Sequence, residues 1–311
     1  MNIGTTGIIF NEFTQILLIQ RDDTRTWAPP GGALEAGELP DEGVAREVRE
    51  ETGLIVYPVR LVGLYFSPDK PDGSLLFSFR CIQRGGEIET SEESPQVGWF
   101  KTRPFPNRVL GFHRQRIQDA FHHRGGPPIW YARKRGWRQR VAWFLLRHIV
   151  YRYKDWQLAR NGRPPYQPPP NWETGAFAVI RNEQGQVLWV KRTDRDVWNL
   201  PGGGALKNEA PWETAVRETH EETGLQITPI HLSGVYLYDA QNHLTFTFTA
   251  DITGGSLTPG PEAAEFAYFT PGEEPPNSVQ QHIERVQDAI APGDVTRFKK
   301  QPGPELVIGN Q

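Results

Sequence analysis

Three glutamates, Glu47, Glu50 and Glu51, are spaced i, i+3 and i+4. On a helix that spacing brings their carboxylates to one face. Like charges so close raise one another's pKa values, so the arrangement calls for a cation. Arg46 can reach Glu50 one turn on, but a single guanidinium cannot neutralise the cluster. A hard divalent cation can, because carboxylate oxygens are the ligands it prefers. A further acid, Glu38, stands upstream, and Pro30-Gly31-Gly32 lets a backbone carbonyl approach the same cation. A Glu-rich helix face is by itself commonly solvated surface. Here, however, the whole pattern recurs. Glu218, Glu221, Glu222, Arg217, Glu209 and Pro201-Gly202-Gly203 stand at the same spacings in the second half of the chain.

The elements that must position these groups also recur. The offset of 171 holds without a gap from Gly4/Gly175 to Tyr65/Tyr236. That period is too long for a solenoid, so it implies two whole domains. Pro40 and Pro211 suit a first helical turn, and Gly53 and Gly224 suit the left-handed position just past its end. Ile16 to Ile19 and Val187 to Val190 read as short buried strands after turns at Asn11 and Asn182. Leu244-Thr-Phe-Thr-Phe-Thr alternates, which predicts one apolar and one polar face. A last helix is expected near Val109–His122 and Val279–Ile290. Strands on both sides of helices point to mixed sheets flanked by helices, α/β (α+β).

Boundaries follow from the repeat and from charge. Residues 1–124 and 172–291 are read as the domains, 125–171 as a basic aromatic and proline-rich linker, and 292–311 as a C-terminal tail. Net charge is −3 over 1–124, +9 over 125–171 and −9 over 172–311. Residues 129–160 read as an amphipathic basic helix carrying Trp137, Phe144 and Trp156. The default reading packs it against the two acidic domains; nucleic-acid or anionic-membrane contact is the alternative. The single cysteine, Cys81, excludes an internal disulfide framework and fits a reducing cytoplasm. No basic segment precedes the first apolar residues, so no signal peptide is expected. No apolar run is long enough to span a membrane.

The pattern G-x5-E-x7-R-E-U-x-E-E-x-G-U, with U a bulky aliphatic, resembles the signature of the Nudix (MutT-like) hydrolases. The first copy matches throughout, from Gly32 through Val48 to Leu54. The second runs from Gly203 to Leu225 and departs once, where Thr219 replaces the aliphatic residue. The resemblance implies two α/β/α sandwiches and hydrolysis of a diphosphate bond in a nucleoside diphosphate derivative, with Mg²⁺ (or Mn²⁺) as cofactor. It implies Glu50, Glu51 and the Gly31 carbonyl as metal ligands, with Glu221, Glu222 and Gly202 as their counterparts. Glu47 and Glu218 become ligands or water-orienting bases. Arg46 and Arg217 hold the clusters in place, and Glu38 and Glu209 support them. Glu93 and Glu262 are candidates for a further loop acid. Trp27, Tyr65, Trp198 and Tyr236 are candidates for stacking on a base, although core packing competes for them. Pro68 lies where some ADP-ribose-cleaving members carry a proline; the second copy has no counterpart, so the two domains need not share a substrate. The rival function class is a nucleotide-sensing module that has lost turnover. Intact carboxylates in both copies argue against it.

Overall fold

The computed structural model describes residues 1–70, 72–133, 170–238, 242–259 and 263–303. In the first repeat, β1 (Asn2–Ile9) lies parallel to β5 (Ser74–Gly85). β5 pairs antiparallel with the long β4 (Ile55–Ser67), and β4 pairs parallel with β7 (Ile129–Ala132), giving a mixed sheet of order β1-β5-β4-β7. A small antiparallel sheet joins β3 (Trp27–Ala28), β2 (Ile16–Gln20) and β6 (Gln96–Phe100). The second repeat rebuilds both. Its large sheet has the order β11-β8-β13-β12-β15, from Gly202–Gly204, Glu173–Ile180, His243–Gly255, Leu225–Tyr238 and Arg297–Gln301. Its small sheet is β10-β9-β14, from Trp198–Asn199, Val187–Arg192 and Ala263–Phe269.

Local chemistry sets the element limits. The Asn11 side chain accepts hydrogen bonds from the N–H groups of Phe13 (3.0 Å) and Gln15 (2.9 Å), closing the turn between β1 and β2. Asn182 does the same for Gln184 (3.1 Å) and Gln186 (2.9 Å). Helix α1 (Pro40–Thr52) starts at proline and is capped by Glu42, whose Oε2 accepts the N–H of Leu39 at 3.0 Å. It stops at Gly53, in the left-handed region at φ 74°. Helix α3 (Pro211–Thr223) is built identically, with Glu213 as cap and Gly224 at φ 75°. Helices α2 (Gly111–His122) and α4 (Gln280–Ile290) match the expected last helices.

Alternation along β1 places the helices on opposite faces. Ile9 packs in one core with Val44 and Val48 of α1, whereas Ile8 packs in another with Ile117 and Ala120 of α2. Two layers of helix therefore enclose each sheet. The expected polar face of β13 is accordingly not solvated. Thr245 and Thr247 are buried along with Leu244, Phe246 and Phe248, because the strand lies inside a sheet covered on both sides.

Two boundaries are corrected. Residues 129–132, read as the start of a linker helix, form strand β7 on the edge of the first sheet, where Gly63 is opposite Ile129. The segment read as a C-terminal tail contributes β15, where Gly234 is opposite Arg297. Each repeat thus closes on a strand that composition assigned outside it, since an edge strand needs only one buried face. Trp137, Phe144 and Trp156 of the basic segment lie outside the described residues.

The two repeats share one hydrophobic core. Trp130 of β7 meets Phe248 of β13 edge-on at 5.6 Å, and Phe298 of β15 meets Phe77 of β5 at 6.4 Å. Trp130 and Phe298 are the second residues of equivalent strands, and Phe77 and Phe248 are one repeat apart. The interface therefore has approximate twofold reciprocity within one chain, like the isologous contact of a symmetric dimer.

Candidate active site

Each Glu-rich helix is anchored by one arginine. Arg46 donates from Nε and Nη2 to the two oxygens of Glu38 (2.8 and 3.0 Å). It also donates from Nη1 to Glu47 (3.1 Å) and Glu50 (3.0 Å), and from Nη2 to the carbonyl of Ala33 (3.1 Å). Arg217 makes the same five bonds, to Glu209 (2.8 and 2.9 Å), Glu218 (2.7 Å), Glu221 (3.0 Å) and the carbonyl of Gly204 (2.9 Å). The bidentate pair ties the helix to the loop before it. Glu38 and Glu209 are the loop ends of these pairs. Burial would raise the Glu209 carboxyl, but hydrogen bonds from Arg217, the Leu206 N–H and the Thr214 hydroxyl, with the charge of Arg217, together outweigh it and hold the group below its usual range.

The remaining carboxylates differ in exposure. Glu50 and Glu221 reach solvent, while Glu51 and Glu222 are buried at 7% and 5% exposure. Glu51 accepts the N–H of Gly31 (2.7 Å), and Glu222 accepts that of Gly202 (2.9 Å). Both loop glycines are therefore joined to the box, through the N–H. Burial pushes the Glu51 carboxyl up to about 8, against the Gly31 hydrogen bond and with Glu47 adding repulsion. Burial likewise raises Glu47 and Glu218, despite Arg46 and Arg217 beside them. A side chain at Gly32 would overlap the Glu47 carboxylate, and one at Gly203 would overlap that of Glu218. These glycines leave the space into which the two carboxylates project.

Among the described residues no three carboxylates close into a finished cation cage. The donor set nevertheless fits a hard cation. Three carboxylates of each site share one guanidinium, a fourth is buried beside them, and in the first site burial pushes that fourth, Glu51, up to about 8. Glu93 adds to that charge, since it raises both Glu47 and Glu51 from the loop before β6. Its counterpart Glu262 lies outside the described residues.

The aromatic candidates fare differently. Tyr65 and Tyr236 are buried, and their hydroxyls donate to Asp119 (2.8 Å) and Asp288 (3.0 Å) of the last helices. Neither offers a free face for a base; a long strand crossing the core buries its central rings, which corrects that expectation. Trp198 is also buried, against Phe269 at 5.4 Å. Trp27 is half-buried and packs on Phe100 at 4.5 Å. Sequence reasoning missed the arginines of the last helices, Arg116 and Arg285, which lie over the Tyr65 and Tyr236 rings at 5.2 and 5.3 Å. Their equivalent placement in the two helices was the available signal.

Comparison with known proteins agrees with this geometry. The NUDIX domain model matches residues 2–118 and again 172–289. A MutT-like protein of Streptomyces ambofaciens is 38% identical over 119 residues, covering 38% of this chain and 76% of the relative. A putative 8-oxo-dGTP diphosphatase of Bacillus subtilis is 37% identical over 118 residues, covering 37% and 77%. An ADP-ribose pyrophosphatase of Methanocaldococcus jannaschii is 34% identical over 131 residues, covering 40% and 75%. The chain belongs to the Nudix family, with two Nudix domains in tandem, and is a hydrolase of phosphoric anhydrides. The family works with divalent cations on nucleoside diphosphate derivatives. Among the described residues no helix is long and apolar enough to cross a membrane.

Proposed function

We propose that both domains hydrolyse the diphosphate bond of a nucleoside diphosphate linked to another moiety, such as a nucleotide sugar, ADP-ribose or a nucleoside triphosphate, with Mg²⁺ as the cation. The observation that carries this reading is the arginine-centred cluster, built with the same five hydrogen bonds in both repeats. A module that had abandoned turnover would have no reason to keep a buried carboxylate in each half, Glu51 and Glu222, because burying such a group costs stability.

Glu50, Glu51 and the loop carbonyl of Gly31 would hold the cation in the first domain, and Glu221, Glu222 and Gly202 in the second. When bound, divalent cations neutralise the diphosphate and lower the pKa of the attacking water. Glu47 has Oε1 engaged by Arg46, which leaves Oε2 to orient that water and accept its proton. Glu218 is placed in the same way by Arg217. Arg46 and Arg217 keep these oxygens in position while the cleft is empty or filled, so little reorganisation is needed during reaction. The test is product release from ADP-ribose, NADH, dinucleoside polyphosphates, nucleotide sugars and nucleoside triphosphates, with Mg²⁺ and then with chelator. Turnover that vanishes on chelation is expected; silence across the panel would sink the reading in favour of a nucleotide sensor.

A further inference from the structure

Both glycine loops are held to their sheets by the same backbone bond. The carbonyl of Pro30 accepts the N–H of Gly7 (2.9 Å), and that of Pro201 accepts the N–H of Ala178 (2.9 Å). A side chain then adds a second tether, and the two repeats draw it from different elements. In the first repeat it comes from β1. The buried Thr6 hydroxyl donates to the carbonyl of Pro30 (3.1 Å). The second repeat has Phe177 at that place, which carries no donor. There the tether comes from α4. The N–H of Leu200 donates to Nδ1 of the buried His282 (3.0 Å). The His282 ring also meets the Phe177 ring at 4.5 Å, and Phe177 stands opposite Gly202 in the sheet.

The first repeat has the same histidine without the same bond. His113 holds the equivalent place on α2: its N–H closes on the carbonyl of Leu110 (3.0 Å), as that of His282 closes on Val279 (3.0 Å). The position of Leu200 is held by Pro29, which has no N–H to give. Among the described residues Nδ1 of His113 is accordingly buried without a hydrogen-bond partner. Burial first, then Arg116 and Arg21, hold the imidazole down at about 3, so the ring is neutral and able to accept, but it meets no donor.

Three differences therefore go together. Thr6 becomes Phe177, Pro29 becomes Leu200, and the histidine gains a partner. The ring of Pro29 fixes its own φ, whereas Leu200 has no such restraint. Where the ring and the hydroxyl are both missing, the imidazole supplies the constraint.

We propose that His282 is a positioning residue of the second site, holding the loop 200–203 in place, whereas Thr6 and Pro29 hold the loop of the first site and His113 takes no part. The inference rests on the hydrolase reading above, in which the Gly202 carbonyl is a cation ligand. Gly202 lies two residues beyond Leu200, and its N–H is bonded to Glu222 (2.9 Å). A shift of the loop therefore displaces a ligand and its carboxylate neighbour together.

The test uses the full chain carrying Glu47→Gln, which leaves the second domain as the source of turnover. The readouts are kcat on the best substrate of the panel above and the affinity for Mg²⁺ alone, by calorimetry. His282→Leu is expected to lower kcat roughly tenfold or more and to weaken Mg²⁺ binding by a similar factor. His282→Asn places an amide oxygen where Nδ1 lies and should restore most of both. Hydrogen exchange at the Leu200 amide should quicken in the Leu variant and slow again in the Asn variant. In the Glu218→Gln chain, where the first domain works, Thr6→Val should bring a similar loss, while His113→Leu should leave kcat and Mg²⁺ affinity unchanged. A merely structural role for the histidines predicts instead that both Leu variants lower the melting temperature alike and leave Mg²⁺ affinity where it was. Unchanged Mg²⁺ affinity in His282→Leu, or an equal loss in His113→Leu, would overturn the proposal. Thr6→Val removes one hydroxyl at nearly constant shape, so it reports even if His282→Leu does not fold; no loss there would overturn the proposal as well. If no substrate turns over in any of these chains, the hydrolase reading fails, and Mg²⁺ affinity in the same variants still decides what the tethers do.

Discussion

Lys300 Nζ of the last strand lies 3.0 Å from Glu42 Oε2, the same oxygen that caps the first turn of α1. The end of the second repeat is thereby bonded to the start of the helix that carries the first repeat's carboxylates. The pair is partly exposed, and such pairs contribute little. Lys300→Ala is therefore expected to cost below about 1 kcal/mol. Trp130→Ala, which empties the aromatic contact with Phe248 and Trp212, is expected to cost about 3 kcal/mol. Because the core is shared, it should shift the melting of both domains together in calorimetry. Two separated transitions, with only one of them moved, would show that the domains are independent.

Glu47→Gln and Glu218→Gln keep the shape of the side chain and remove its charge. Each is expected to reduce the turnover of its own domain by roughly 10²- to 10⁴-fold while leaving the melting temperature close to that of the parent. The double variant should show no Mg²⁺-dependent turnover. Wild-type turnover in the double variant would remove these residues from the mechanism.

The paired glycines separate folding from catalysis. Gly32→Ala would drive its new methyl into the Glu47 carboxylate, the movable end of a flexible side chain. The chain should fold and lose about a hundredfold in first-domain turnover, the cost of an ångström-scale displacement. Gly31→Ala would instead meet the backbone of Thr5, at φ 149°, where nothing can yield. It should lower the melting temperature sharply. Circular dichroism melts beside activity assays distinguish the two outcomes.

Glu51 makes stability depend on pH. Its carboxyl titrates near 4.5 when unfolded and about 8 when folded, so the folded state holds the proton more tightly. In the absence of a divalent cation, stability is full below about 4.5, falls as pH rises toward 8 and stays low above it, by up to about 5 kcal/mol. Cation binding needs the ionised form, so it should release a proton below pH 8 and flatten the decline. Melting temperatures in chelator and in Mg²⁺ between pH 5 and 9 check this. Glu51→Gln should lack the slope; if it retains the slope, another group is responsible.

Thr219 stands where the first repeat has Val48. Both are fully buried, and among the described residues the Thr219 hydroxyl has no hydrogen-bond partner. Thr219→Val should therefore stabilise the second domain by about 1 to 2 kcal/mol, read from urea denaturation. A loss of stability would mean that the hydroxyl is satisfied in solution.

By itself the sequence determined the two carboxylate clusters, the helices that carry them and their limits. These features depend on near neighbours along the chain. A spacing of three and four puts Glu47, Glu50 and Glu51 on one face, proline opens α1, and Gly53 closes it in a conformation other residues avoid. The duplication made a common motif specific. Only the tertiary structure decided the rest. It showed that segments called linker and tail, β7 and β15, complete the two sheets. It showed that Tyr65 and Tyr236 are core residues tied to Asp119 and Asp288, and that the domains share one core through reciprocal contacts of Trp130 and Phe298. It also tied the two glycine loops through different side chains, Thr6 in the first repeat and His282 in the second. Strand pairing, burial and charge balance depend on residues tens to more than a hundred positions apart, and local spacing carries no record of which of them meet.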